Sequence, residues 1–345
     1  MQPEEPTPTL HVYTNSIQIP MLVLGSNKRR LTAPITAGRL SVSIDNGPWF
    51  RATHARSAAD DPISLSILLD ANGDSEKLIQ GVEDAITKTN LLSLRPQDHL
   101  SIYGLDCALI PLLRDAAGDE SFKVEAEKAF ASWDRRRDHI HDGDCEEPTH
   151  LWDALTYVAS ELYETPRLRI VLAVSQGQDT GSRRTWNVAR DYAESTSVAI
   201  FGLSYVPADA GGSLGRLETD ESIISSSRSP WIMVWGTENP FRQVCELSGG
   251  LVLGTRPKYL VEALKTMGRT VRERYIVEFP RPSNATSGKH TLRVKAADSQ
   301  RYFIRSAGIA VPPPDPKVLA DPTTVSAGPK DAPEMGTRKI LTKPQ

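Results

Sequence analysis

The stretch ILLDANGDSEK (67–77) carries Asp70, Asn72 and Asp74 at every second position, at the end of an apolar run. Carboxylate and amide oxygens alternating at the mouth of a buried strand are hard donors, the chemistry of a Ca²⁺ or Mg²⁺ seat. Asp-x-Asn-x-Asp also resembles the start of a calcium loop, although the rest of that pattern is absent. The same residue types cap helices, and Asp74 or Ser75 would serve a helix starting there. Both readings stand. Thr149, in the loop opening a helix at 150, and 175-SQGQD-179, after the most apolar run of the chain, add Thr149, Gln176 and Asp179 to the candidate oxygen donors. A separate stretch, DHIHDGDCEE (138–147), sets His139 and His141 among carboxylates. It reads as a solvated acidic loop, with a Zn²⁺ or Ni²⁺ site as the sharper alternative.

Something must hold these residues together. ISLSILLD (63–70) is continuous enough in apolar residues for a parallel strand buried on both faces. Leu78, Ile79, Val82, Ala85, Ile86 and Leu91 follow at helical spacing over 75–92. Further strands are predicted at 99–106 and 107–113 (joined by a tight turn), 168–175, 197–206 and 251–255. Helices are predicted at 121–133, 150–163, near 184–195, near 239–248 and at 257–274. This alternation over 61–274 predicts a doubly wound α/β sheet, in which ligands bind beyond the carboxyl ends of the strands. The segments holding Asp70, Thr149 and Gln176 converge there.

On either side the pattern is β. Residues 11–24 and 39–55 read as strands, the latter a hairpin about Asp45-Asn46-Gly47. Strands return at 275–280, 289–296 and 301–305. The expected architecture is a β-sandwich made from residues 9–60 and 275–311, with the α/β unit of 61–274 inserted into it. The long polar segment 207–228 reads as a functional loop. Residues 312–345, rich in Pro, Asp, Thr and Gly, read as a disordered tail.

Composition bounds the function. The chain has 345 residues, 39% apolar and 24% charged, with a net charge of −3. That balance favours neither nucleic acid nor an anionic membrane, and no apolar run reaches the length of a membrane span. The start, MQPEEPTPTL, lacks the basic and apolar regions of a secretory signal. Either the protein stays inside the cell, or Met1 stands where a signal was removed. No GxSxG elbow, HExxH, P-loop or GxGxxG falls in a strand–turn–helix setting, and no histidine neighbours a candidate serine nucleophile. Trp231 and Trp235 read as core more readily than as a partner surface, and Asn284-Ala-Thr286 reads as a surface turn.

The three converging loops resemble the metal-ion-dependent adhesion site of the von Willebrand factor A (VWA) fold, built from Asp-x-Ser-x-Ser, a Thr and an Asp. More narrowly, the order VYTNSIQIPMLVL, ISLSILLD, YIVEFP, KHTLRVK across 9–305 resembles the VWA-related proteins of Acidobacteria. Asp70 and Thr149 match the motif. Asn72 and Asp74 stand in place of the serines, and Gln176 in place of the second aspartate, with Asp179 beyond it. The resemblance implies a Rossmann-like VWA domain with a degenerate site of Asp70, Asn72, Asp74, Thr149, Gln176 and Asp179. It implies a non-enzymatic module that binds a protein partner outside the cytoplasm or in the envelope. A divalent cation, Ca²⁺ before Mg²⁺, would hold a partner's carboxylate, or the same face would bind with no cofactor. A hydrolase using Asp70 and Asp74 with a cation is the remaining enzyme reading. Under this topology Cys107 and Cys145 fall at the ligand-binding end, close enough for a disulfide in an exported protein. Cys245 reads as a buried small hydrophobe.

Overall fold

The structure, a computed structural model, describes residues 16–25, 30–88, 92, 94–119, 121–139, 149–207, 239–281, 288–298, 302–306 and 309–311. His141, Cys145, Trp231, Trp235, Asn284, the loop from 208 and the tail from 312 lie outside these residues.

The apolar run at 63–70 forms strand β5 (Ile63–Asp70), with every residue buried. It pairs in parallel with β6 (His99–Leu105) and β8 (Leu168–Val174), so that Leu68 lies opposite both Tyr103 and Ala173. β9 (Ala199–Tyr205) and β10 (Val252–Thr255) extend the sheet on one side, and antiparallel β7 (Leu109–Ala117) closes the other. The order is β10-β9-β8-β5-β6-β7. Among the described residues six helices cover the sheet: α1 (Glu76–Lys88), α2 (Ser121–His139), α3 (Leu151–Glu161), α4 (Trp186–Ser195), α5 (Pro240–Leu247) and α6 (Leu260–Arg272).

The period-two alternation of β5 decides which side chain faces which layer. Leu65, Ile67 and Leu69 join one apolar cluster with residues of α1, α2 and α6, including Leu78, Trp133 and Met267. Leu68 joins the opposite cluster with α3, α4 and α5, including Leu155, Ala189 and Phe241. Cys245 belongs to that second cluster and is a free, fully buried thiol. Burial with the nearby Glu246 charge holds it well above the usual thiol range, so it is unreactive.

The flanking strands come from both ends of the chain. β1 (Ser16–Gly25) pairs with β11 (Arg274–Pro280) and β14 (Tyr302–Ser306), and β4 (His54–Ser57) pairs with β11. A second sheet joins β2 (Leu40–Ile44) to β3 (Phe50–Arg51) and to β13 (Leu292–Ala296). Ile17, Ile19, Met21 and Val23 of β1 pack with Leu40, Val42 and Ile44 of β2 between these sheets. Leu22 and Leu24, on the other face of β1, belong to the core of the α/β layer instead. The doubly wound sheet is thus inserted into a β-sandwich made of N- and C-terminal strands, and the two units share apolar packing through β1.

Three details differ from the sequence reading. Residues 289–296 do not form one strand. β12 (Gly288–His290) pairs with β15 (Ile309–Val311), and the chain then changes sheet at Thr291 to enter β13. Asp45 holds that corner by accepting from the Thr291 amide (2.9 Å) and pairing with His290 (2.7 Å). In the β2 turn, Asp45 and Asn46 take the positive φ values (48° and 59°), and Gly47 instead donates to Ile44 O at 2.8 Å. Both Asp and Asn tolerate this region, so the Asn-Gly pair is shifted by one position. Helix α2 runs six residues past the predicted end at 133, to His139. There Arg137 pairs with Glu76 of α1 at 2.6 Å and stacks over Trp133, which ties the added turns to the core.

Candidate functional site at the carboxyl edge of the sheet

Asp70 ends β5 with its side chain almost wholly inside (1% exposed). A carboxylate placed there must find donors or lose its charge. Asn72 supplies two, its amide at 3.1 Å and its Nδ2 at 2.8 Å, both to Oδ1. The Ser175 hydroxyl donates to Oδ2 at 2.6 Å and itself accepts from the Gly177 amide at 2.9 Å. Burial pushes the Asp70 carboxyl up. The Ser175 and Asn72 bonds pull it back, and the charge of Asp179 adds to the rise, leaving it above the usual aspartate range.

Around this centre each expected donor has a definite place. Asp74 lies in a short 3₁₀ turn (Gly73–Ser75) and pairs on the surface with Lys77 at 2.6 Å. Lys77 in turn sits over the Tyr205 ring at 4.7 Å. The buried Ser75 donates to Asn72 O at 2.7 Å, so the loop is braced from within. Gln176 turns its Nε2 to Tyr205 O at 2.9 Å. Thr149 is bound through its backbone: its carbonyl accepts from the Thr180 and Gly181 amides, and its amide donates to Thr180 Oγ1 at 3.0 Å. Asp179 accepts from the Trp152 amide at 3.3 Å and from the Ser182 hydroxyl, at the start of α3. A carboxylate at that position satisfies orphan amides and complements the helix dipole.

The neighbouring Asp153, in the first turn of α3, accepts from the Arg183 and Arg184 amides at 2.8 and 3.2 Å and from the Arg184 guanidinium at 3.0 Å. Burial pushes its carboxyl up, but these donors prevail and hold it below the ordinary value. Gly177 is required by its setting. Its φ is +77°, and a Cβ there would lie 2.4 Å from Phe241 Cβ.

The six side chains therefore share one edge of the sheet without converging on one point. Among the described residues no group of three or more His, Cys, Asp or Glu is placed to hold a metal ion. Both Asp70 oxygens already accept from the chain, and Asp74 faces solvent beside a lysine. As arranged, this donor set does not fit a bound cation. His139 is the last residue of α2.

Sequence reading missed Ser175 and Ser182. Ser175 is a polar residue ending the most apolar strand of the chain, a signal of the same kind that marked Asp70. Ser182, which accepts from the Trp152 and Asp153 amides at 3.0 and 3.1 Å, left no local signature because its partners lie thirty residues away. Cys107, at the turn between β6 and β7, is disulfide-bonded. Cys145, the other candidate for that bridge, lies outside the described residues.

No protein-family model matches the chain, and no curated protein matches it. Solved structures overlap with it in part. The TFIIH p34 N-terminal domain overlaps at 16% identity and a TM-score of 0.40, covering 60% of this chain and 98% of that domain. Proximal thread matrix protein 1 from the mussel byssus overlaps at 10% identity and 0.41, covering 66% of this chain and half of its own. A von Willebrand factor type A protein from Catenulispora acidiphila overlaps at 10% identity and 0.39, covering 87% and 74%. At this level of overlap the fold class rests on the strand order and registers described above. No helix among the described residues is long and apolar enough to cross a membrane.

Proposed function

We propose that the protein is a non-catalytic recognition module of the VWA kind, which binds a protein partner at the carboxyl edge of its parallel sheet without a bound cation. The observation that carries this reading is the state of Asp70. Its carboxylate accepts from Asn72 and Ser175 within the chain, so the oxygens that would hold an ion instead stiffen the loop. The loops 71–75, 149–150 and 175–182 then present a braced polar surface, with Asp74 and Gln178 exposed on it. The disulfide at Cys107 fits an exported protein, since such bonds persist in oxidising compartments.

Calorimetric titration and thermal unfolding with Ca²⁺, Mg²⁺ and Mn²⁺ test the cation-free reading. The expected result is no heat and no shift, because an ion bound to the native state must raise its stability. Partner capture that survives Val261→Ala but is lost on Asp74→Ala with Gln178→Ala supports the placement. Equal capture by both variants overturns it.

One observation favours a second reading. Asp179 raises the charge burden on Asp70, and a divalent cation would relieve that repulsion. In that case Asp70, Asn72, Asp74, Thr149, Gln176 and Asp179 would supply the oxygens after rearrangement. A cation-dependent rise in melting temperature that Asp70→Ala removes would establish it.

A further inference from the structure

Two carboxyl groups outside the carboxyl edge are treated differently by the fold. Glu246 lines a cleft of about 620 Å³ between the α/β layer and the sandwich, together with Arg293 and Arg305 among others. It accepts from Arg242 at 2.8 Å and from Arg305 at 2.9 Å, so its charge is answered. Glu83, in the seam between α1 and α2, has no such support.

Glu83 is 4% exposed, and its Oε1 has no hydrogen-bond partner among the described residues. It stands about two turns along α1 from Glu76, on the same helical face. Across the seam, the end of α2 supplies one guanidinium. Arg137 donates to Glu76 at 2.6 Å and to Asp134 at 3.4 Å, and lies 5.0 Å from the Trp133 ring centre. The side chains of Glu76 and Asp134 are 59% and 42% exposed, so water supports their charges. For Glu83 it does not. Burial first, then the Asp134 charge, push its carboxyl up; Arg137 opposes them, and Asp84 adds a last push. Asp84 is itself paired outward with Lys88 at 2.7 Å. α6 packs on α1 through Leu260, against Gly81. Among the described residues neither α6 nor the sheet brings a charge that acts on Glu83.

The seam is therefore strongest while Glu83 keeps its proton. With the proton on, two carboxylates share Arg137. With it off, three carboxylates act on one guanidinium, and one of the three is buried without a donor on Oε1. Opening the seam would hydrate Glu83 and relieve the repulsion. It would also release the first turn of α1. That turn follows directly on the 3₁₀ turn of Gly73–Ser75, and so on the loop whose Asn72 holds Asp70.

We propose that Glu83, Asp134, Glu76 and Arg137 form a proton-operated latch between α1 and α2, which is firmest in acid, loosens as pH rises toward neutral, and sets how tightly the 71–75 loop is held. Only its meaning for a partner rests on the carboxyl-edge reading, and failure of the latch would leave that reading standing.

A proton held in the closed seam and released in the open one couples opening to pH between the ordinary value of 4.5 and about 7. Through that interval the opening constant rises by up to about tenfold per pH unit, and it levels off on either side.

Hydrogen exchange of the full chain, read by peptide mass spectrometry, tests this without any partner. Protection factors remove the intrinsic pH dependence of amide exchange. Peptides covering 76–88 and 130–139 should lose protection by up to about tenfold per pH unit below neutral and level off above it, while staying less protected than peptides of β5. Peptides covering 71–75 should follow them. Glu83→Gln should hold the seam at its acid level of protection throughout. Asp134→Asn should move the fall to lower pH, because it removes a charge that raises Glu83, and it serves if Glu83→Gln is unstable. Thermal unfolding of each variant checks that the fold is intact. Seam protection that does not change with pH overturns the proposal, and so does a fall that persists in Glu83→Gln. Seam peptides protected as strongly as β5 at every pH would open only with the whole fold, which also overturns it. Full protection of 71–75 while the seam loosens would remove its control of the loop.

Discussion

The two ends of the parallel sheet treat charge in opposite ways. At the carboxyl edge each carboxylate is hydrogen-bonded or paired from within: Asp70 by Asn72 and Ser175, Asp74 by Lys77, Asp153 by the Arg183 amide and by Arg184, and Asp179 by the start of α3. On the sandwich sheet of β3, β2 and β13, cations are left over: Arg293, Lys295 and Arg51 share the face that carries Trp49, while at the amino end of the parallel sheet Glu246 is already shared by Arg242 and Arg305. A self-satisfied edge has a fixed shape and offers a partner surface detail. A surplus edge offers charge and depends on the salt around it. The residues that resemble an adhesion-site motif lie in the first region, and the unpaired cations lie in the second.

The largest effect should come from the amino end, where Asp98 is completely buried and accepts from the Ile63 amide at 3.0 Å, the Arg95 amide at 2.7 Å and the Arg272 guanidinium. Asp98→Ala removes the carboxylate from that buried guanidinium, which keeps only neutral acceptors such as the Asp61 carbonyl at 3.2 Å among the bonds described, and should cost about 3–5 kcal/mol in urea unfolding. A cost below that of Asp70→Ala would reverse the ranking of the two ends. Asp70→Ala leaves the Ser175 hydroxyl and the Asn72 donors unpaired, and should cost about 2–3 kcal/mol. The loss should be the same with and without Ca²⁺. A cation-dependent loss would turn the carboxyl edge back into an ion site.

Between the ends, on α1, Glu83 is a buried carboxyl that neither region pairs. It is 4% exposed, and its Oε1 has no partner. Burial, with the Asp134 charge added and Arg137 opposing, pushes its carboxyl up to about 7 from an ordinary value of 4.5. The folded protein then holds this proton over a range where the unfolded chain has released it. Its contribution to stability therefore falls as pH rises from about 4.5 to about 7 and is flat above. Glu83→Gln should flatten that slope and raise stability at pH 8 by about 1–2 kcal/mol, read by unfolding across pH. The smallest effect should be Arg293→Glu, within about 0.5 kcal/mol of the parent, because the side chain is exposed and its bond is to a neutral amide. A large loss there would mean that the Asn46 bond and the Trp49 contact of Arg293 support the fold.

Local pattern made much of the fold legible. An unbroken apolar run can be buried on both faces only inside a covered sheet, which marked β5. The return of alternating strands after residue 274 marked the closing half of the sandwich. Pattern was weaker where a long-range contact overrode it. The run at 289–296 looks uniform, yet Asp45 pins Thr291 and divides it between two sheets. Helix α2 continues because Arg137 reaches Glu76 across sixty-one positions.

The candidate site divides in the same way. Residue type and spacing placed Asp70, Asn72, Asp74, Thr149, Gln176 and Asp179 at one edge of a doubly wound sheet, because strand ends and helix starts are written in local sequence. Only the tertiary structure decided which of their oxygens remain free, since Ser175, Tyr205 and the start of α3 reach them from distant segments. The cleft between the two units was not legible at all. Glu246, Arg293 and Arg305 meet only because two units packed through β1 bring helix ends against strand edges, and no short window of sequence contains that encounter.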